Sequence, residues 1–301
     1  MRDNRASATA EIIAASTLLL ARDPLTAGLV APGAAELCAA LLGQGTRARA
    51  LRWAASRPWT RPLWRLLERA THPGITRHYW LRKRWIEARV QAALAGGTRR
   101  VVVLGAGLDT LALRLANAWP GVAWVEVDHP ATQSAKRRAL SRGGVAMPPT
   151  LRFVAADLAR DAGGWPREVG AEPGTATIVV LEGLLMYLDR GDVVRLLVDQ
   201  LPGIAGGPLT VVFSYMVEWP DGRGGFRPAS LLVDAWLAAQ REPFRWFQRP
   251  ETLPGWMSHL GYSVVAHASP PFDAGVAAAP LDMPPLQGEN LVEAVLKASG
   301  G

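Results

Sequence analysis

Residues 101–110 read VVVLGAGLDT and residues 125–130 read VEVDHP, and these two stretches decide how the chain folds. The run 101–104 is short, continuously apolar and rich in valine, as a strand buried on both faces requires. It stops at Gly105-Ala106-Gly107, where two glycines let the backbone turn sharply and let a ligand approach the chain. A helix is expected from near Asp109 towards Trp119, with Pro120-Gly121 as its stop. The next strand is 122–127. At its end stands Asp128, the usual place for a carboxylate that holds ribose hydroxyls.

The same alternation continues outward. Residues 131–142 read as a helix, 151–155 as a third strand, 176–181 as a fourth, 189–205 as helical and 208–213 as a fifth strand. Strands alternating with helices predict a doubly wound α/β domain with a mostly parallel sheet, right-handed crossovers and helices on both faces. Upstream, 7–21 and 33–42 are Ala/Leu-rich helices, 43–75 is an irregular or helical cap, and 79–95 is a helix ending at Gly96-Gly97. Downstream, 216–229 is rich in Gly and Pro, 230–240 is an inserted helix and 250–260 another, and 262–267 and 290–297 are final strands. The chain thus reads as one domain, with a helical cap (1–97), a ligand-binding core (98–215) and an acceptor-side insertion with the last strands (216–301).

In an open α/β sheet, ligands bind beyond the carboxyl ends of the strands at the switch point. Four acids follow four successive strands there: Asp109, Asp128, Asp157 and Glu182. A dinucleotide site is the competing reading of the glycine loop. Against it, Thr110 replaces the third glycine of G-x-G-x-x-G. Asp109 also stands at a helix start, where a pyrophosphate needs positive potential. A carboxylate there would tolerate a cationic sulfonium, although it would equally serve as a helix N-cap. The acids together predict an electronegative crescent for a cationic ligand.

The 301 residues carry 33 Lys and Arg against 26 Asp and Glu, a net charge of +7. Arginine supplies nearly all of it, concentrated at Arg47, Arg49, Arg52, Arg57, Arg61, Arg65 and Arg69. Such a run is a solvated face or an attractor for anions. No nucleic-acid reading motif accompanies it, so no nucleic-acid partner is expected. The single cysteine, Cys38, excludes an internal disulfide and a cysteine-based zinc site. The apolar stretch 12–21 is too short to span a bilayer, so neither an export signal nor a membrane partner is expected, and the cytoplasm is the expected location.

Four motifs in order, GAGLDT…RL (105–115), EVDHPATQ…KR (126–137), AADL (155–158) and LEGLLMYL (181–188), resemble the leucine carboxyl methyltransferase family. The likeness covers 75–215 well and the N-terminal helices loosely. It implies a class I methyltransferase fold and S-adenosylmethionine as cofactor, with Gly105 and Gly107 lining it and Asp128 on its ribose. Asp157 and Leu158 would then hold adenine, Glu182 would lie by the methionine moiety, and Arg82 would bind the cofactor's carboxylate in a bidentate fork, with Arg84 as a rival. Leu111 stands where family members often have arginine.

The resemblance implies O-methylation of a small molecule, with a carboxylate of a secondary metabolite as the expected acceptor, anionic or presented on an acidic carrier protein. A protein carboxyl group is the alternative, and an NAD-dependent oxidoreductase a more distant one. A carboxylate is ionised at neutral pH and needs no general base, whereas a phenol does. None of the five histidines stands in an evident dyad with a carboxylate, which favours a base-free reaction. Tyr187 is a candidate for orienting the acceptor. Nine of the twelve tryptophans fall in 53–85 or 219–256, which suggests two segments folding over the cofactor as an apolar lid.

Overall fold

The computed structural model describes residues 7–24, 26–43, 45–158, 164–272 and 286–297. The parts of the expected acceptor-side region at 273–285 and 298–301 lie outside the described residues.

Five parallel strands form the sheet's spine: β1 (Arg100–Leu104), β2 (Ala123–Asp128), β3 (Leu151–Ala155), β4 (Thr177–Leu181) and β5 (Leu209–Val217). Two more strands, β7 (Tyr262–Ala268) and β8 (Glu289–Leu296), complete the order β3-β2-β1-β4-β5-β8-β7, and β8 runs antiparallel to both its neighbours. A two-residue strand, β6 (Phe247–Gln248), pairs with the end of β5. The order reverses between β1 and β4, and the crevice of a doubly wound sheet opens at such a reversal. The mostly parallel α/β sheet expected from the sequence is the one found.

Alternation along the strands explains the layers. Val101 and Val103 of β1 face one core, while Val102 and Leu104 face the other, as the two-residue period of a strand demands. All five residues of β1 and of β4 are buried. Each such valine or leucine contributes about 1.5–3 kcal/mol on transfer from water. The first core is closed by α1 (Ala8–Arg22), α2 (Ala34–Leu41), α5 (Ile75–Ala95), α6 (Leu111–Ala118) and α7 (Pro130–Arg142). The second takes α8 (Gly164–Val169), α9 (Arg190–Arg195) with its continuation to Ile204, and α12 (Leu253–His259). Arg100, buried within β1, donates through its two terminal nitrogens to the carbonyls of Ile204 (2.8 Å) and Val169 (2.6 Å), and its Nε lies 4.0 Å from Glu172.

Several boundaries differ from the sequence reading. The segment 43–75 contains two ordered helices, α3 (Thr46–Ala55) and α4 (Arg61–Ala70). The helix expected at 189–205 passes through a π-helical turn at Leu196–Gln200 before α10 (Leu201–Ile204). Strand β5 runs four residues past Phe213, because β8 supplies antiparallel partners as far as Met216 opposite Glu289. The inserted helix is α11 (Leu231–Gln240).

Candidate active site

The loops at the carboxyl ends of β1 to β4 meet in one cavity of about 540 Å³. All the residues singled out from the sequence line it: Gly105 and Gly107, Asp128, Asp157 and Leu158, Glu182 and Tyr187, and Arg82 from α5. Gly105 turns the chain at φ +66°, and a Cβ there would lie 2.9 Å from Leu184 Cδ1. Both the left-handed backbone and the close approach of Leu184 therefore require glycine. Gly107, at φ +49°, points its N–H at Asp128 Oδ2, and His129 N donates to Asp128 Oδ1 at 2.6 Å. Burial raises the Asp128 carboxyl above its ordinary range, with these two N–H groups working the other way. Asp157, in the turn after β3, lies 3.8 Å from His129 Nε2, and Leu158 is buried beside it.

The residues expected on the methionine side are tied to one another. Glu182, just beyond β4, is not a bare anion: Arg82 Nη2 lies 2.9 Å and Lys83 Nζ 3.0 Å from its Oε1. Arg82 also reaches both oxygens of Glu289 at 2.9 Å through Nη1. Glu289, the fully buried first residue of β8, takes His78 Nε2 at 2.7 Å as well. Burial alone would raise the Glu289 carboxyl, but Arg82 and then His78 hold it down at about 2. Asp109, one residue before Thr110, which takes the N-cap position of α6 itself, pairs with Lys83 and accepts from Leu111 N at 2.5 Å. Burial would raise its carboxyl too, but Lys83 outweighs that and holds it well below its usual value. Lys136 then donates to the Asp109 carbonyl at 2.7 Å and pairs with Glu126 at 2.6 Å.

The crescent is thus threaded by cations. Taking Lys136 with Glu126 as a neutral pair, five carboxylates (Asp109, Asp128, Asp157, Glu182, Glu289) face Arg82 and Lys83, a net of three negative charges. Asp109, neutralised by Lys83, no longer argues against a phosphate-bearing ligand; the missing third glycine still does. Arg82 has its guanidinium on two carboxylates, whereas Arg84 is exposed and lies over the Trp80 ring at 5.2 Å.

The sequence reading missed Lys83, Glu289 and the His78–Glu289 dyad, so the statement that no histidine meets a carboxylate is wrong. A fully buried acid opening an apolar strand demands a partner, but only the folded chain says which. His78 is buried away from the cavity and anchors Glu289 rather than facing a ligand. His72 is the histidine of the distal wall, 5.2 Å from the Phe226 ring. Burial lowers its pKa below the ordinary histidine value.

Beyond the glycine loop the cavity widens into a chamber. Tyr187, Phe244, Phe226 and His72 form a chain of ring contacts with centroids 5.6, 6.1 and 5.2 Å apart. Ile13, Ser16 and Thr17 of α1 and Trp236 of α11 line the same cavity. Thr9 Oγ1 donates to Glu242 at 2.7 Å, fastening α1 to the segment after α11. The lid expectation fails for 53–64: Trp53, Trp59 and Trp64 do not line the cavity, and of the nine tryptophans only Trp80 and Trp236 do. The cover is α1 and α11.

The family model described as leucine carboxyl methyltransferase matches residues 5–200. A protein of Mycolicibacterium paratuberculosis named "Putative S-adenosyl-L-methionine-dependent methyltransferase" is 40% identical over 111 residues, 36% of this chain and 34% of its own. A protein of the same name from Mycobacterium marinum is 39% identical over 112 residues, 36% of each chain. The matched stretch thus spans about a third of those relatives' length. A crystal structure titled "putative methyltransferase" from Thermobifida fusca aligns over 87% of this chain and 94% of its own, with a TM-score of 0.53 at 16% identity. A DUF574 protein of Streptomyces avermitilis aligns over 86% and 94%, also at 0.53, with 17% identity. At such identities the likeness to these two structures is one of fold. With its four ordered motifs, its glycine loop and a family match over more than half its length, the chain belongs to the leucine carboxyl methyltransferase family, whose members take their methyl group from S-adenosylmethionine.

Proposed function

We propose that the chain is an S-adenosylmethionine-dependent O-methyltransferase acting on a small-molecule acceptor, with a carboxylate as the methylated group. The observation that carries this is the convergence of Asp128, Asp157 and Glu182 on a single glycine-lined cavity with a net negative charge. Its volume lies in the range of pockets that enclose small ligands. The donor set fits the cofactor: carboxylates suit ribose hydroxyls, an adenine amino group and an ammonium, while Arg82 and Lys83 suit a carboxylate. When bound, S-adenosylmethionine supplies a methyl group on a sulfonium that leaves as a neutral thioether.

The residues of this chain then align and exclude water. Gly105 and Gly107 keep the loop low enough for close approach, and Asp128, held by two backbone N–H groups, presents a preoriented carboxylate. Glu182 is held by Arg82 and Lys83, and Arg82 in turn by Glu289, so the methionine end has a rigid fork. The aromatic chain from Tyr187 to His72 and the α1 face give the acceptor an apolar, shielded seat. Orientation of this kind lowers a bimolecular barrier by about 7–11 kcal/mol. A carboxylate in that seat needs no proton removed.

One observation favours a second reading, a phenolic or alcoholic acceptor: His72, kept neutral by burial, faces the chamber and could accept the hydroxyl proton. The test is calorimetry with S-adenosylmethionine and NAD, then transfer of labelled methyl to matched aromatic acids and phenols. Label released as methanol by mild base marks a carboxyl ester; base-stable label marks an ether. Tight NAD binding without S-adenosylmethionine binding would overturn the proposal.

A further inference from the structure

Helix α4 is amphipathic, yet it seats Trp64 and its polar side against the rest of the chain and leaves its leucines outside. Arg61 donates to the carbonyl of Arg22, Arg65 Nη2 lies 3.0 Å from Asp23, and Glu68 accepts from the N–H and hydroxyl of Thr76 at 3.0 and 3.1 Å. Positions 61, 65 and 68 share one helix face. Leu63, Leu66 and Leu67 share the opposite one, and they are 57%, 63% and 51% exposed. No residue of α4 is buried. Next to it, Trp59 and Trp53 are 68% and 50% exposed and meet edge to face at 5.4 Å. A helix folded for its own monomer turns its apolar stripe to the core; this one presents it outward.

The charge of this segment bears on what could cover that face. Residues 46–70 hold seven arginines and one acid, Glu68, which is turned inward. Arg49, Arg52, Arg57 and Arg69 are exposed, and among the described residues they have no carboxylate partner. A second copy docking face to face by a two-fold axis would set these arginine rims against each other. Nucleic acid would satisfy the arginines but leave the leucines in water. A bilayer bearing anionic headgroups satisfies both: guanidinium forks suit lipid phosphates, tryptophan suits headgroup depth, and leucine enters the acyl boundary. No described helix is long and apolar enough to cross a membrane, so the contact is peripheral.

We propose that α3 and α4 form an interfacial docking surface for anionic lipid membranes, against the absence of a membrane partner expected from the sequence. Because α4 is fastened to the end of α1, which walls the acceptor chamber, docking would bring the chamber's cover close to the lipid surface.

The test is co-sedimentation of the full chain with phosphatidylcholine vesicles, with and without a quarter of phosphatidylglycerol, at low and high salt. Two variants accompany it: Leu63→Ser/Leu66→Ser/Leu67→Ser and Arg49→Glu/Arg52→Glu. Circular dichroism and S-adenosylmethionine calorimetry serve as folding controls, and both variants are expected to keep parental cofactor affinity because none of these residues lines the cavity. Expected are binding to the anionic vesicles only, loss at high salt, and a loss of roughly tenfold or more in each variant. Three results would overturn the proposal. These are no partition to either vesicle, partition unaffected by the leucine changes, or leucine-dependent self-association by light scattering with no vesicle binding.

Discussion

Replacing Glu289 with glutamine removes one negative charge from the buried junction that holds Arg82 and His78, while nearly preserving side-chain volume. In the folded chain the Glu289 carboxyl titrates at about 2 instead of 4.5, because Arg82 and His78 outweigh its burial. A difference of that size corresponds to about 3 kcal/mol of stability at neutral pH. The depressed value means the contribution is complete above pH 4.5 and is lost as pH falls through about 2. At pH 3 roughly 1.4 kcal/mol of it survives. Glu289→Gln should therefore melt roughly 5–10 °C below the parent at pH 7, and the gap should close by more than half at pH 3. Urea unfolding at pH 7, 5, 4 and 3 gives the measurement. Parallel parent and variant curves, with a constant gap across that range, would refute the reasoning: Glu289 would then act by shape and hydrogen bonding rather than by charge.

Other outcomes follow from the site. Asp128→Ala should weaken S-adenosylmethionine binding by tenfold or more while the fold persists, since a carboxylate hydrogen bond contributes about 1.5–3 kcal/mol; unchanged calorimetric affinity would remove Asp128 from the site. Gly105→Ala should destabilise the chain by about 1–2 kcal/mol from the left-handed backbone alone, with a further contact cost that Leu184→Ala relieves. Full rescue by that second change would show that φ at residue 105 does not matter. His72→Phe should leave turnover of a carboxylate acceptor nearly unchanged but slow a phenolic one by roughly 10²–10⁴-fold. With the phenolic acceptor the parent should lose activity as pH falls through a value below the ordinary histidine pKa, and the variant should lack that limb.

The strand-and-helix core was legible because its signals are local. Four valines or leucines, two glycines and an acid, spaced as in 101–128, are enough to announce a strand, a tight turn and a ribose-side carboxylate. The landmark residues of the cavity could be named for the same reason: the carboxyl ends of successive parallel strands must lie together. The cap was less legible, since α4 turns its leucines outward and thus lacks the burial logic that periodicity assumes, while α3 buries little more than Ala48 and Ala55. The lid tryptophans misled because aromatic content does not say which surface the rings face.

The sequence alone determined the sheet, the glycine loop and the acids at its edge, since these depend on residues within a few positions of one another. Only the tertiary structure decided their electrostatics. Arg82 meets Glu289 across 207 positions and Glu182 across 100, and Lys83 reaches Asp109 across 26. Which charges neutralise which depends on distances through space, and in a buried site those distances decide whether an acid is a free anion or one half of a pair.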